Sequence, residues 1–455
     1  MPTDSIASDL NVLAGRMQRF KTIITRALPL VIALGSSLIT VFIDLAMLGA
    51  LGDSAIAGVG LSGFLNTLIL AVMLGIVPAV QGLTARGKGQ GMEPDKLLRI
   101  LHSGLLLAVV LGLPMLIICY SVMPYVYGRL ASAPGIVEQG LPYLQVLLLA
   151  IVAQGMLNSF DGYWNGQGKI KWFMLVLLLI NCLKLLGNFI LIEGNWGAPA
   201  LGTKGAALAT VIALYSGVLC YLLITIVQTR KVFLSSMVVD QNQLMTLGRI
   251  ALPVTFQQGL FSLGSVVMFW IYGLIGAAEM AAATVLIRTS MVLLVFASAL
   301  GKVLATLASN SLGSSHPDDA MQWGWDVTLL GVLGISTLGA PLLFFPEQFL
   351  ALFLNDVATV QLAIVPVQVI AATTGVVGIS FILSNTLFSV GYGKKVALVS
   401  FLLRWCLFIP VAWVMVVHLQ LGLLQVWVAQ TLYGLLLVII LLQMWRAGAW
   451  QKKTL

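Results

Sequence analysis

Runs of about 18 or more apolar residues, broken by short stretches of Gly, Pro and charge, recur along the whole chain and predict membrane-crossing helices. Spans fall near 24–51, 54–83, 97–121, 140–164, 170–192 and 203–228, then near 243–275, 278–308, 323–345, 358–388, 396–417 and 421–445. Each can cross a bilayer with some tilt. The expected fold is therefore an all-α polytopic membrane protein with twelve transmembrane helices. The loops are short, so no extramembrane domain offers room for an enzyme site.

The pattern repeats. Sliding the chain on itself by 224 residues aligns Ala27, Leu28, Pro29, Gly35, Gly49, Gly52 and Ala57 with Ala251, Leu252, Pro253, Gly259, Gly273, Gly276 and Ala281. Six spans per half is an even number, so the halves share one orientation and form parallel repeats. This predicts two six-helix pseudo-symmetric lobes with a cavity between them. The expected division is an N-terminal segment 1–23, an N-lobe 24–228, a linker 229–242 that serves as hinge, a C-lobe 243–445 and a tail 446–455.

Composition excludes other classes. Of 455 residues 60% are hydrophobic and 9% charged, against about 25% charged in a soluble domain. The net charge of +8 is dispersed between apolar runs, which excludes a nucleic-acid partner. It sets orientation instead: Lys and Arg fall almost wholly in the N-terminal segment, the tail and alternate loops, with Arg129 and Lys204 on the other side. Both termini are expected in the cytoplasm, with an uncleaved first span. Cys119, Cys182, Cys220 and Cys406 lie inside apolar runs and read as buried small apolar residues, not disulfides or zinc ligands.

Polar residues inside the spans carry the candidate chemistry. Asp44 is the one carboxylate deep within a span; Asp161, Glu193, Glu279 and Asp326 lie nearer span ends. Ser37, Thr40 and Asp44 share one helix face, as do Asn181, Lys184 and Asn188 in span 5 and Gln154, Asn158 and Asp161 in span 4. Asn66 and Thr210 add polar groups from spans 2 and 6. Such faces must converge on each other or on water. Two readings stand for Asp44: an ion-coupling acid, as intramembrane acids usually are, or a helix pin paired with Lys184. Burial disfavours an ionised carboxylate and a nearby ammonium favours it. Pro29, with Gly35 beyond it, either bends the first span or sits harmlessly in its first turn. In the second half Asp44 aligns with Met268, and Arg288, Lys302 and Arg404 stand within spans.

Gly58, Gly60 and Gly63 match a dinucleotide-binding pattern but lie in a span without a preceding strand, so helix packing explains them. His102, His316 and His418 lie near loops and form no metal or catalytic set.

The chain resembles the multidrug and toxic compound extrusion (MATE) transporters. The resemblance rests on RALP at Arg26 to Pro29, FIDLAMLGALGDSAIAGVGL around Asp44, the stretch from Asn181 to Thr210, and GQGK and GYGK at Gly166 to Lys169 and Gly391 to Lys394. It implies a monomeric secondary transporter of the bacterial inner membrane, without cofactor or metal, that exports small cationic amphipathic drugs against H⁺ or Na⁺. It also implies that Asp44 is the coupling acid, with Asn158 and Asn181 as partners, and that the first helix bends at Pro29; helical spacing sets Ser37, Thr40 and Lys184 beside them and Gly35 beyond Pro29. Asn66, Gln154, Asn188 and Thr210 would line the cavity. Acids that the sodium-coupled branch carries in spans 7 and 10 are absent, with Phe261 in span 7, and Leu185 replaces another in span 5, which favours protons. A lipid-linked oligosaccharide flippase of the same superfamily is the second reading, kept open by Lys184, Arg288 and Arg404.

Overall fold

The computed structural model describes residues 3–49, 51–130, 134–229, 241–354 and 356–452, so most of the linker expected at 229–242 lies outside the described residues. All described elements are helical: α1 (Thr3–Gly49), α2 (Asp53–Leu74), α3 (Ile76–Gly89), α4 (Pro94–Leu130), α5 (Pro134–Leu148), α6 (Ala150–Gly166), α7 (Ile170–Leu191) and α8 (Gly202–Thr229). There follow α9 (Gln241–Ile275), α10 (Ala277–Gly313), α11 (Pro317–Phe344), the short α12 (Pro346–Leu350), α13 (Val357–Ser389), α14 (Gly393–Phe401), a π-helical turn (Leu402–Phe408), α15 (Ile409–Val417) and α16 (Leu423–Arg446). Among the described residues eleven helices are long and apolar enough to cross a membrane, twelve when α5 and α6, bent by 45°, count as one span. The expected twelve spans each find their helix.

Several helices outrun the expected spans. α1 begins well before residue 24, and α4 continues to Leu130 past Pro114 and Pro124, because helical backbone does not stop where the apolar run stops. Pro29 lies far inside α1, not in a first turn, and Pro253 likewise inside α9.

Two breaks have identifiable causes. Between α2 and α3, Pro78 has no N–H to offer the Leu74 carbonyl four residues back. Two neighbouring carbonyls there accept side-chain donors: Val72 O from Thr255 Oγ1 at 3.0 Å and Met73 O from Asn158 Nδ2 at 2.8 Å. Gly75 sits at this break because a Cβ would stand 2.3 Å from the Ala251 carbonyl oxygen. Between α5 and α6, the Tyr215 hydroxyl donates to Leu149 O at 3.0 Å, a side chain entering the helical ladder where it bends.

The chain forms two compact units, Ile32–Ser262 and Met1–Val31 together with Leu263–Leu455, so α1 and α9 each contribute to both. In the first, α7 packs on α8, α2 on α5, and α3 and α4 on α6. α2 and α5 meet at Gly58 and Gly140: a Cβ on Gly58 would lie 2.9 Å from Gly140 N. The Tyr127 hydroxyl donates to Gly58 O and Ser62 Oγ to Gly140 O, both at 2.8 Å. Close packing thus explains Gly58, whereas Gly60 and Gly63 face open space. In the second unit α10, α11 and α13 pack together, and Trp445 stacks on Trp450 at 4.1 Å.

The cysteines divide. Cys119 is buried, Cys220 is intermediate, and Cys182 and Cys406 are exposed on the helix surface. An apolar run looks the same in sequence whether it faces lipid or protein, so uniform burial was the wrong expectation.

Candidate functional site

Two polar stripes expected to seek partners find each other. On α1, Ser36, Ser37, Thr40 and Asp44 face α7, which presents Asn181, Lys184 and Asn188. The Lys184 ammonium pairs with Asp44 Oδ2, and Asn188 Nδ2 donates to Asp44 Oδ1 at 2.6 Å. About two turns back along α1, Asn181 Nδ2 lies 2.8 Å from Ser36 Oγ and 3.1 Å from Ser37 Oγ. Thr40 is buried and returns its hydroxyl to Ser36 O in its own helix at 3.0 Å. A carboxylate so placed accepts a charge-assisted bond at each oxygen, the strong class of hydrogen bond.

Asp44 stands five residues before the end of α1 at Gly49, about 7–8 Å along the axis. Its side chain is 15% exposed and that of Lys184 22%. Asn188 is buried, and its Oδ1 has no protein partner. The ring of Tyr143 on α5 lies within electrostatic reach of Asp44 and packs on Leu48, Ile192 and Ala206.

The remaining candidates go elsewhere. Asn158 and Gln154 form a second cluster, with Gln154 Nε2 donating to Asn158 Oδ1 at 3.1 Å and Asn158 holding the Met73 carbonyl. Thr210 bonds to Ala206 O at 3.0 Å in its own helix. Asn66 leaves its Oδ1 without a protein partner. Asp161 accepts from the Tyr221 hydroxyl at 2.6 Å.

Ser36 was not among the sequence candidates, although it neighbours Ser37 and is the nearer partner of Asn181. A second missed constellation lies in the other unit. Asp326, expected near a span end and unremarkable, is buried within α11 and accepts from Arg16 Nε at 3.2 Å, with Arg19 Nη1 at 3.8 Å. Arg19 also reaches Asp319, and its guanidinium stacks 4.8 Å from the Trp323 ring. The readable signal was the helical spacing of Asp319, Trp323 and Asp326, obscured because their partners are some 300 residues distant.

Under the 224-residue register, this polar interface has no polar counterpart. Ser37, Thr40 and Asp44 align with Phe261, Gly264 and Met268; past GQGK and GYGK, which stand 225 residues apart, Asn181, Lys184 and Asn188 align with Cys406, Ile409 and Trp413. Met268 and Ile409 are buried, and Cys406 and Trp413 are exposed.

Comparison with known proteins agrees with the fold and the repeat. The chain is 25% identical over 451 residues to a probable multidrug resistance protein NorM of Thermotoga maritima, covering 95% of this chain and 93% of that one. It is 23% identical over 423 residues to the uncharacterized transporter YisQ of Bacillus subtilis, covering 90% of each. Its fold matches a MATE crystallised in complex with MaL6, with a TM-score of 0.88 at 19% identity over 96% and 98% of the two chains. It also matches the bent form of the Vibrio cholerae MATE transporter VcmN, with a TM-score of 0.85 at 18% identity over 96% and 98%. One family profile, MatE, fits twice, over residues 29–190 and 253–414. Residue 253 follows residue 29 by the same 224 residues that separate the aligned positions of the two halves. Matched in both halves at that register, this integral membrane chain belongs to the MatE family, whose members are secondary transporters and not enzymes.

Proposed function

We propose that this chain exports cationic amphipathic compounds in exchange for protons, with Asp44 as the group that binds either. The observation that carries the reading is the Asp44 carboxylate held by Lys184 and Asn188 between α1 and α7. An ionised Asp44 satisfies the ammonium. Protonation removes the negative charge and leaves the Lys184 ammonium half-buried without its counter-charge, which is costly away from water. The two protonation states therefore favour different arrangements of α1 against α7. A ligand that distinguishes those arrangements is coupled to the proton by that difference. Exchange follows if drug and proton prefer opposite states.

Protons fit better than Na⁺. Sodium needs several oxygen ligands, and at Asp44 an ammonium already stands at one carboxylate oxygen and an amide N–H at the other. The multidrug resistance names of the relatives supply the substrate class, and the distribution of Lys and Arg supports cytoplasmic termini in a bacterial inner membrane. Asn158 and Gln154 support the break between α2 and α3, and Pro29 and Gly35 give α1 its capacity to bend.

Asp44→Asn is the test. In proteoliposomes with separate H⁺ and Na⁺ gradients, the variant should fold and lose efflux of a cationic dye driven by the proton gradient. Undiminished proton-driven efflux in the variant refutes the assignment of Asp44. Efflux that follows Na⁺ instead refutes the choice of ion.

A further inference from the structure

The second half of the chain holds an intramembrane cation that the proposed coupling does not use. Arg404 lies within the candidate span Gly393–Val417, on the π-helical turn Leu402–Phe408. A π turn inserts a residue into a helix, re-aims the side chains around it, and recurs at functional sites. Arg404 Nη2 donates to Ser265 Oγ at 3.0 Å, and the titratable groups set against the guanidinium are the hydroxyls of Tyr433 and Tyr272. Those rings are themselves fixed: Tyr433 stacks on Phe408 at 5.2 Å, and Tyr272 lies over Trp427 and donates to Gln430 Oε1 at 2.8 Å. Gly264 makes room for the group, because a Cβ there would stand 2.6 Å from Arg404 Nε.

The position matters as much as the partners. α9 and the π turn are the repeat counterparts of α1 and α7. Ser265 lies three residues before Met268, which aligns with Asp44, and Arg404 five residues before Ile409, which aligns with Lys184. Each half thus carries polar contacts between the same pair of helices, displaced by one turn or more. The first is centred on a carboxylate, the second on a guanidinium surrounded by hydroxyls and aromatic rings.

We propose that Arg404, with Ser265 and Tyr433, forms an anion subsite for the carboxylate or phosphate of an amphiphile. The planar guanidinium matches the two oxygens of an oxyanion as an ammonium does not. A charge inside a span is expensive and marks function by default. The inference rests on the reading of the chain as an exporter of amphiphiles.

The test uses the purified full-length protein in uncharged detergent, titrated with tetramethylrhodamine free acid and with its methyl ester. The two dyes share the cationic ring system and differ in the carboxylate. The free acid should bind at least about tenfold more tightly. Arg404→Gln should erase the difference, and Arg404→Lys should keep part of it. Binding of the ester and thermal unfolding report the folded state of each variant. No preference in the wild type, a preference that survives Arg404→Gln, or equal loss for both dyes in a folded variant overturns the proposal. Phosphatidylglycerol added as competitor separates the sources: if it displaces the free acid but not the ester, and does so only when Arg404 is present, the oxyanion is a lipid phosphate. Without such displacement, it is the carboxylate of a solute. Equilibrium binding needs no gradient, so unaltered efflux in Asp44→Asn would remove the coupling reading and leave the dye result standing.

Discussion

The Asp44 carboxylate and the Lys184 ammonium each offset the cost of burying the other, so their effects on stability must be strongly non-additive. Removing one partner strands the other, which costs roughly 3–5 kcal/mol in a closed interior. With 15% and 22% of the two side chains exposed, the lower part of that range applies. Lys184→Gln should therefore lower the thermal midpoint in detergent by several degrees, while Asp44→Asn with Lys184→Gln should regain most of the loss. Additive losses would mean that the pair is not coupled. A second carboxylate offers a clean pH prediction outside the spans. Asp356 caps α13, accepting from Thr359 Oγ1 at 2.6 Å and Thr359 N at 2.9 Å. These bonds, the hydroxyl first, hold its carboxyl below the usual carboxylate range. A lowered value in the folded state stabilises the cap in full above the unfolded value of about 3.9, and that contribution disappears as pH falls through the lowered value. Amide exchange at Thr359 and Val360 should accelerate relative to Asp356→Asn as pH drops below about 4, and equal rates in both proteins would show that the charge contributes nothing.

At the level of elements, the side chains that matter most hold helix breaks and helix ends. Asn158 is buried, and its amide satisfies the Met73 carbonyl at the break between α2 and α3. Asn158→Leu removes that bond and should cost about 0.5–1.5 kcal/mol, read as a lower unfolding midpoint with the pH dependence of efflux unchanged. A shift in that pH dependence would instead return Asn158 to the coupling machinery. The other contact is the clamp of Arg16 and Arg19 on Asp326, which ties the start of α1 to α11. Asp326→Ala should raise amide exchange over residues 16–23 and leave exchange over 36–44 as it was, because the two stretches of α1 belong to different units. Spans were legible in the chain because an apolar run of given length has few alternatives in a bilayer. Breaks were not, since Pro78 and Gly75 are ordinary residues until the partners of the Val72 and Met73 carbonyls are known. The Asp44 interface was readable from i, i+3 and i+7 spacing on two helices, whereas the Asp326 clamp joins residues whose pairing no local spacing encodes.

Across the whole molecule, the repeat supplies its own control experiment. One repeated pattern of helices carries an ion pair in the first half and apolar residues at the equivalent positions in the second, where Arg404 and Ser265 bond nearby instead. Met268 and Ile409 stand where Asp44 and Lys184 stand, and both are buried. Apolar residues at these two positions are therefore compatible with the helix pair. Replacing a buried ion pair by apolar residues is often neutral or stabilising by about 1–4 kcal/mol, because the desolvation cost of both charges disappears. The double variant Asp44→Met with Lys184→Ile transfers the second-half residues to the first half. It should unfold near the wild-type temperature, above Lys184→Gln alone, and lose proton-driven efflux completely. The Met side chain is larger than the Asp it replaces, and Asn188 loses its acceptor; each works against the gain by about 1–3 kcal/mol, so an unchanged midpoint is expected. Circular dichroism in detergent reads the first outcome and dye efflux from proteoliposomes the second. A double variant that melts well below Lys184→Gln would make the polar interface a structural necessity of the first half. One that melts normally and still transports would remove Asp44 from the coupling step.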